Sequence, residues 1–258
     1  MESLKDKSVI LTGAGSGIGR ITAKMLGELG ANVFIVGRRE NLLKESVKEI
    51  IEAGGNAAYI SADLEDGDAA ANVANEAIKE FGNIQYLVNN AGHSSKVRAI
   101  RYVEKEDWQS VFNVNVEGVY RLSQAIIPNM IKNGEGTIVT ISSMAAVTLG
   151  LMGGVPYSSA KSAVAAMMTA MRQELREHNI RTCTIYPAEV DTPILDNRPL
   201  PPDAKARSTM MMPEDIADAI LLCMRMPQRT IVQDLIISPT IQRDVSEDMK
   251  IAKSLGKK

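Results

Sequence analysis

Residues 12–19 read Thr12-Gly13-Ala14-Gly15-Ser16-Gly17-Ile18-Gly19, between a short apolar run, Lys7 to Leu11, and a periodic one, Ile18 to Leu29. The upstream run carries β-branched residues and stops at the glycines, which predicts a strand. Downstream, Ile21, Met25 and Leu29 recur at helical spacing on one face, and Gly30 is placed to end the helix. A glycine turn between strand and helix lets the backbone approach a phosphate closely, and the helix start adds free N–H groups and partial positive charge. The plain alternative is a tight turn without a ligand. A strand before and a helix after favour phosphate binding. The spacing Gly13-x-x-x-Gly17-x-Gly19 is not the G-x-G-x-x-G of the common dinucleotide fingerprint.

Working outward, strands are predicted at Asn32 to Val36, Ala57 to Ile60, Ile84 to Val88, Gly136 to Ile141, Ile180 to Ile185 and Thr230 to Ile237. Helices are predicted at Asn41 to Ala53, Asp66 to Phe81, Glu104 to Ile131 with an interruption near Pro128, Tyr157 to Glu177, and Pro213 to Met224. Strands alternating with helices predict an α/β fold with a doubly wound parallel sheet covered on both faces. The strands lack period-two alternation, as expected when both faces are buried. No linker or composition break divides the chain, so residues 1–258 read as one domain. The segment 192–212 is irregular, with four prolines and three consecutive methionines, and residues 240–258 read as a surface helix or loose polar tail.

Composition removes several classes. The 258 residues are 45% hydrophobic and 23% charged, ordinary globular usage with ample material for a core. Lys plus Arg number 29 and Asp plus Glu 31, a balance that argues against a dedicated nucleic-acid binder. Cys183, Cys223, His93 and His178 are too few for a disulfide framework or a soft-ligand metal site. No run approaches the length of a membrane span, and the first residues lack the apolar core of a secretory signal. The last five, Ser254 to Lys258, match no retention or peroxisomal signal. A soluble cytoplasmic protein is the expectation.

The order of motifs carries a family resemblance. TGAGSGIG at 12–19, Asp63-Leu64, NNAG at 89–92, Asn115, Ser142-Ser143, Tyr157-x-x-x-Lys161 and Pro187 through Thr192 follow one another as in the short-chain dehydrogenase/reductase family, which the chain resembles from Lys7 to about Met224. The resemblance implies a Rossmann-type fold, a nicotinamide dinucleotide, and oxidoreduction between a carbonyl and an alcohol. It implies that Gly13, Ser16, Gly17, Ile18 and Gly19 hold the cofactor phosphates. Asp63 and Leu64 would then hold the adenine, Asn90 and Ala91 the ribose, and Pro187, Val190 and Thr192 the nicotinamide side. The family commonly has glycine where this chain has Ala188.

In such a fold the end of the second strand meets the adenosine ribose, where a carboxylate suits NAD and an arginine suits the phosphate of NADP. Here the strand ends in Gly37-Arg38-Arg39, with Glu40 further into the helix. Two guanidiniums suit a phosphate, so NADP(H) is expected over NAD(H). The alternative is that Arg38 and Arg39 are a solvated pair opening a helix.

Tyr157 and Lys161 share a helix face. The resemblance makes Tyr157 the proton donor and Lys161 its modulator and ribose ligand. A free phenol titrates near pH 10, and a neighbouring ammonium is expected to lower that. Ser143 precedes Tyr157 by 14 residues, one more than the family's usual interval, and Ser142 by 15. Ser143 is the expected substrate-orienting hydroxyl, with Ser142 the alternative. Asn115 matches the family's relay asparagine, with Asn113 the alternative. Met144, Val147, Leu149, Leu151, Met152, Ile194, Leu195 and Met210 to Met212 suggest an apolar substrate pocket, and His93 is a further candidate contact.

The expected function is therefore an NADP-dependent reductase of an apolar small-molecule ketone or aldehyde, with no metal. A homo-oligomer, tetramer or dimer, is implied by the resemblance alone. The competing class is a non-catalytic dinucleotide-sensing regulator of the same fold, which intact Tyr157 and Lys161 disfavour.

Overall fold

The computed structural model describes residues 1–256. The tail residues Lys257 and Lys258 lie outside them. Seven strands, β1 (Ser8–Thr12), β2 (Asn32–Gly37), β3 (Asn56–Ser61), β4 (Tyr86–Asn89), β5 (Gly136–Ile141), β6 (Ile180–Pro187) and β7 (Asp234–Ile237), form one sheet in the order β3-β2-β1-β4-β5-β6-β7. Every pairing is parallel. The helices are α1 (Gly17–Glu28), α2 (Glu40–Glu52), α3 (Ala69–Phe81), α4 (Lys105–Phe112), α5 (Gly118–Asn133), α6 (Val155–Leu175), the single turn α7 (Ala204–Arg207), α8 (Pro213–Arg225) and α9 (Ser246–Ser254).

Alternate residues of one strand enter opposite cores. Val9 and Leu11 of β1 pack with Leu26 of α1, Ile50 of α2 and Ile220 of α8. Ile10 between them packs with Val73 of α3, Ile126 of α5 and Met168 of α6. Each such fully buried side chain contributes about 1.5–3 kcal/mol. The chain runs outward from β1 to β3, then crosses to β4 on the other side of β1. That reversal opens a crevice at the carboxyl ends of β1 and β4, the place where open α/β sheets bind ligands.

The predicted fold class is what the structure has, with local differences. The long helix predicted over Glu104 to Ile131 is not interrupted at Pro128, which lies inside α5. Burial of Leu122, Ile126 and Met130 on the core outweighs the missing hydrogen bond of one proline. The irregularity lies instead at Asn113–Glu117, a π-helical turn, where Asn115 Nδ2 bonds the Val111 and His93 carbonyls at 2.8 Å each. The last strand is shorter than predicted. The carbonyls of Met226, Pro227 and Thr230 accept from Arg181, so that stretch is held by a buried guanidinium rather than by the sheet. The tail is not loose: Asp248 and Ala252 of α9 are buried.

Candidate active site

The glycine turn leaves β1 with φ +70° at Gly13 and +54° at Gly17, both left-handed. Gly19 is held by space instead, because a Cβ there would lie 2.4 Å from Gly13 O. The turn is tied to the end of β4. Asn90 Nδ2 donates to Thr12 O at 2.9 Å, and Thr12 Oγ1 accepts the Asn90 and Ala91 N–H groups at 3.0 Å each. Ser16 precedes α1 without capping it by its side chain, so donors of the first turn face outward. Above them lies a cavity of about 540 Å³.

Gly13, Ser16, Gly17, Ile18, Arg38, Arg39, Asp63, Leu64, Asn90, Ala91 and Thr192 line it. Uncapped helix donors, a backbone cradle without Cβ atoms and two arginines match the chemistry of a dinucleotide. Arg39 Nη2 donates to Ser16 Oγ at 3.1 Å. The end of β2 is less cationic than its sequence suggests. Arg38 Nη1 lies 3.7 Å from Asp63 and 3.9 Å from Glu65. Gly37 pairs with Ser61 in the β2–β3 register, which brings the segment after Ser61 beside the arginines.

A second cavity, of about 400 Å³, adjoins the first across Ile18, Asn90, Gly92 and Thr192. Ser142, Ser143, Tyr157, Lys161, Pro187 and Val190 line it. Ser142 is buried and its hydroxyl donates to Lys161 O at 3.0 Å. Ser143 accepts from Ala145 N–H at 3.1 Å and stands close enough to Tyr157 for its hydroxyl to stabilise the phenolate. Burial nonetheless raises the Tyr157 pKa, with the Ser143 hydrogen bond and the charges of Arg98 and Arg198 pulling the other way. The expected depression by Lys161 is therefore not what this structure has. Lys161 Nζ sits 5.6 Å from the phenol ring centroid and donates to Ile141 O at 2.8 Å. Burial pushes its own pKa down to about 8.

Asn115 lines neither cavity but lies beneath them. Its Oδ1 is buried without a partner. A Cβ built on Gly92 would lie 2.7 Å from that oxygen and 3.3 Å from Lys161 Nζ, so both polar atoms converge under Gly92. Asn113, the alternative, is half-buried on the same turn. His93 lines the larger cavity; its Nε2 lies 3.1 Å from Ser110 Oγ, and burial lowers its pKa. Ala188 has no left-handed backbone, so alanine is unstrained there.

The apolar pocket is smaller than expected. Met144, Met152, Ile194 and Leu195 line the second cavity. Val147 and Leu149 are exposed, and Met210 and Met211 are buried. Four charged residues on that lining escaped the sequence reading: Arg98, Glu189, Arg198 and Arg243. Arg98 follows Lys96-Val97 in the segment after β4, and nothing local signals the burial of its side chain.

Such an arrangement joins a crevice lined by uncapped helix donors and two arginines to a pocket with a phenol, a hydroxyl and an amine of lowered pKa, groups able to donate and relay a proton. Among the described residues no cluster of three or more His, Cys, Asp or Glu is disposed to hold a metal, and no helix is long and apolar enough to cross a membrane.

Comparison with known proteins gives concordant results. A profile described as short chain dehydrogenase matches residues 7–201. The 3-oxoacyl-(acyl-carrier-protein) reductase FabG of Thermotoga maritima is 32% identical over 227 residues, covering 84% of this chain and 90% of that protein. An uncharacterized oxidoreductase of Staphylococcus epidermidis is 29% identical, covering 93% and 100%. A metagenomic short-chain oxidoreductase solved in complex with NADP superimposes with a TM-score of 0.81 at 29% identity, covering 93% of this chain and 100% of that one. A 3-ketoacyl-(acyl-carrier-protein) reductase of Brucella melitensis complexed with NADH superimposes with a TM-score of 0.82, also at 29% identity, covering 91% and 98%.

Proposed function

The chain belongs to the short-chain dehydrogenase/reductase family and is an NAD(P)-dependent oxidoreductase acting between CH–OH and C=O; from that premise we propose that it works with NADP(H) and reduces a small-molecule ketone or aldehyde. The observation that carries the catalytic part is the convergence of Ser143, Tyr157 and Lys161 on a cavity that opens into the dinucleotide crevice.

When bound, the dinucleotide supplies a hydride to the carbonyl carbon. Gly13, Ser16, Gly17, Ile18 and Gly19 would hold its phosphates at the α1 N-terminus, and Asp63, Leu64, Asn90 and Ala91 its adenosine half. Arg38 and Arg39 would hold the extra phosphate. Pro187, Val190 and Thr192 would face its nicotinamide. On the substrate side, Ser143 Oγ donates a hydrogen bond to the carbonyl oxygen and orients it. Tyr157 Oη donates the proton to that oxygen as negative charge develops there. Desolvation keeps Tyr157 protonated in the resting state, which suits an acid. Lys161, with its pKa pushed down to about 8, gains and loses a proton readily near neutrality. The free Asn115 Oδ1 accepts from a water that returns the proton through Lys161.

The test follows NADPH oxidation by absorbance across ketones, aldehydes and quinones. Turnover is expected with at least one class, and Tyr157→Phe is expected to lower it by roughly 10²–10⁴-fold while NADPH still binds. Dinucleotide binding with no turnover on any class, or turnover unchanged in the variant, would return the chain to a binding or sensing role.

A further inference from the structure

Arg98 lies on the segment after β4 and is 4% exposed. Its Nη1 donates to Met152 O, and its Nε is buried without a partner. No carboxylate among the described residues lies within ion-pair distance of it, and Asp248 acts on it only through space. Burial pushes its pKa down to about 10, which leaves it cationic at neutral pH. An unpaired buried guanidinium is costly. The position compounds that cost, because Arg98 O accepts the Val155 N–H at 3.0 Å and the arginine thus sits at the positive end of α6. Gly154 makes the space. It has φ +77°, and a Cβ there would lie 2.9 Å from Arg98 Cδ.

Arg98 lines the cavity that holds Ser143, Tyr157 and Lys161. That lining has four cations, Arg98, Lys161, Arg198 and Arg243, against one carboxylate, Glu189. Glu189 is already engaged by Arg198 and Arg243. Arg98 is therefore the guanidinium left without an internal counterion, in a pocket whose remaining surface is partly apolar through Met144, Met152, Ile194 and Leu195.

We propose that the carbonyl substrate is an oxo acid, and that Arg98 binds its carboxylate while Ser143 and Tyr157 address its oxo group. One guanidinium without a counterion matches the charge of a single carboxylate. The inference rests on the reading of Tyr157 as proton donor, and it makes the substrate charged where the sequence suggested an apolar one. Arg98 also holds the Met152 carbonyl, so a purely structural role must be separated from recognition.

The experiment compares benzoylformate, acetoacetate and levulinate, in which the oxo group lies progressively further from the carboxylate, each with its methyl ester. In the wild-type holoenzyme kcat/KM for at least one acid should exceed that of its ester by about tenfold or more, the scale of one charged hydrogen bond. Arg98→Met should bring that ratio to about one, and Arg98→Lys should keep part of it. A structural role would lower acid and ester together and leave the ratio in place. Calorimetric titration of the same acids into cofactor-saturated Tyr157→Phe protein reads binding without turnover. Affinity there should fall about tenfold when Arg98→Met is added. Esters preferred over all three acids, or an acid preference and affinity that survive Arg98→Met, would overturn the proposal. Acids that bind through Arg98 but are never reduced would support the carboxylate site at Arg98 while overturning both their role as substrate and the reductase reading.

Discussion

Two neighbouring hydroxyls illustrate what a single residue decides. Ser142 and Ser143 are adjacent in sequence, but the extended backbone sends them apart. Ser142 Oγ is spent on Lys161 O in the buried interior, whereas Ser143 stands by Tyr157. Ser143→Ala is expected to lower kcat far more than Ser142→Ala, with thermal unfolding reporting the opposite order because the Ser142 hydrogen bond to Lys161 O is buried, whereas that of Ser143 is only partly so. Equal kcat losses in steady-state kinetics would count against the assignment. Lys161 makes a prediction of stability. Its folded pKa, about 8, lies below its ordinary 10.5, so between those values the unfolded chain binds more protons than the folded one. The cofactor-free protein should therefore gain stability relative to Lys161→Met as pH rises through that window, by up to about 3 kcal/mol. Denaturant melts at the two ends of the window check this; a difference constant with pH would show that Lys161 is not desolvated.

At the scale of elements, the junctions between strands and helices decide ligand chemistry. The end of β2 offers Arg38 and Arg39, but β3 pairs alongside and delivers Asp63 and Glu65 to Arg38. Part of the fork is thus already engaged at an exposed position, where such pairs are weak. NADPH is expected to bind more tightly than NADH by about tenfold, the lower end of what one charged hydrogen bond gives, and the gap should narrow as salt rises. Gly37→Asp with Arg38→Ala and Arg39→Ala should reverse the order. The new Cβ meets only the Leu43 side-chain tip at 3.3 Å, so the fold should accept it. Titrating both cofactors against both proteins decides it, and a variant still preferring NADPH would mean that the arginines are only a solvated helix start.

Across the whole molecule, one ion network binds the pocket wall to the end of the chain. Glu189 accepts from Arg198 and from Arg243, and Arg243 continues to Asp248 of α9. Burial alone would raise the carboxyl pKa values, but the arginine hydrogen bonds outweigh it and hold both Glu189 and Asp248 below the usual range. Their contribution is present above the ordinary carboxylate pKa and is lost as pH falls through the lowered folded value. Arg243→Met leaves Asp248 buried without its partner. It should cost about 3 kcal/mol or less, given partial exposure, and lower Tm by several degrees. It should also speed proteolysis within residues 244–256 before the rest unfolds. Unchanged Tm and cleavage would show that α9 is held by packing alone.

The alternation of apolar runs, the Gly13–Gly19 turn and the one-turn interval from Tyr157 to Lys161 are local patterns, and local sterics turn them into structure. They determined the doubly wound parallel sheet, the glycine-lined crevice at the start of α1 and the shared helix face. Periodicity stated less about Pro128, because core burial opposed its helix-breaking tendency. Which serine faces the phenol, which carboxylates reach Arg38, why Asn115 keeps a free oxygen and how Arg98 comes to be buried beside Tyr157 were settled by tertiary structure. Each depends on segments far apart in sequence meeting in space, where the loss of water and the choice of partner fix charge and hydrogen bonding, and no interval along the chain encodes those.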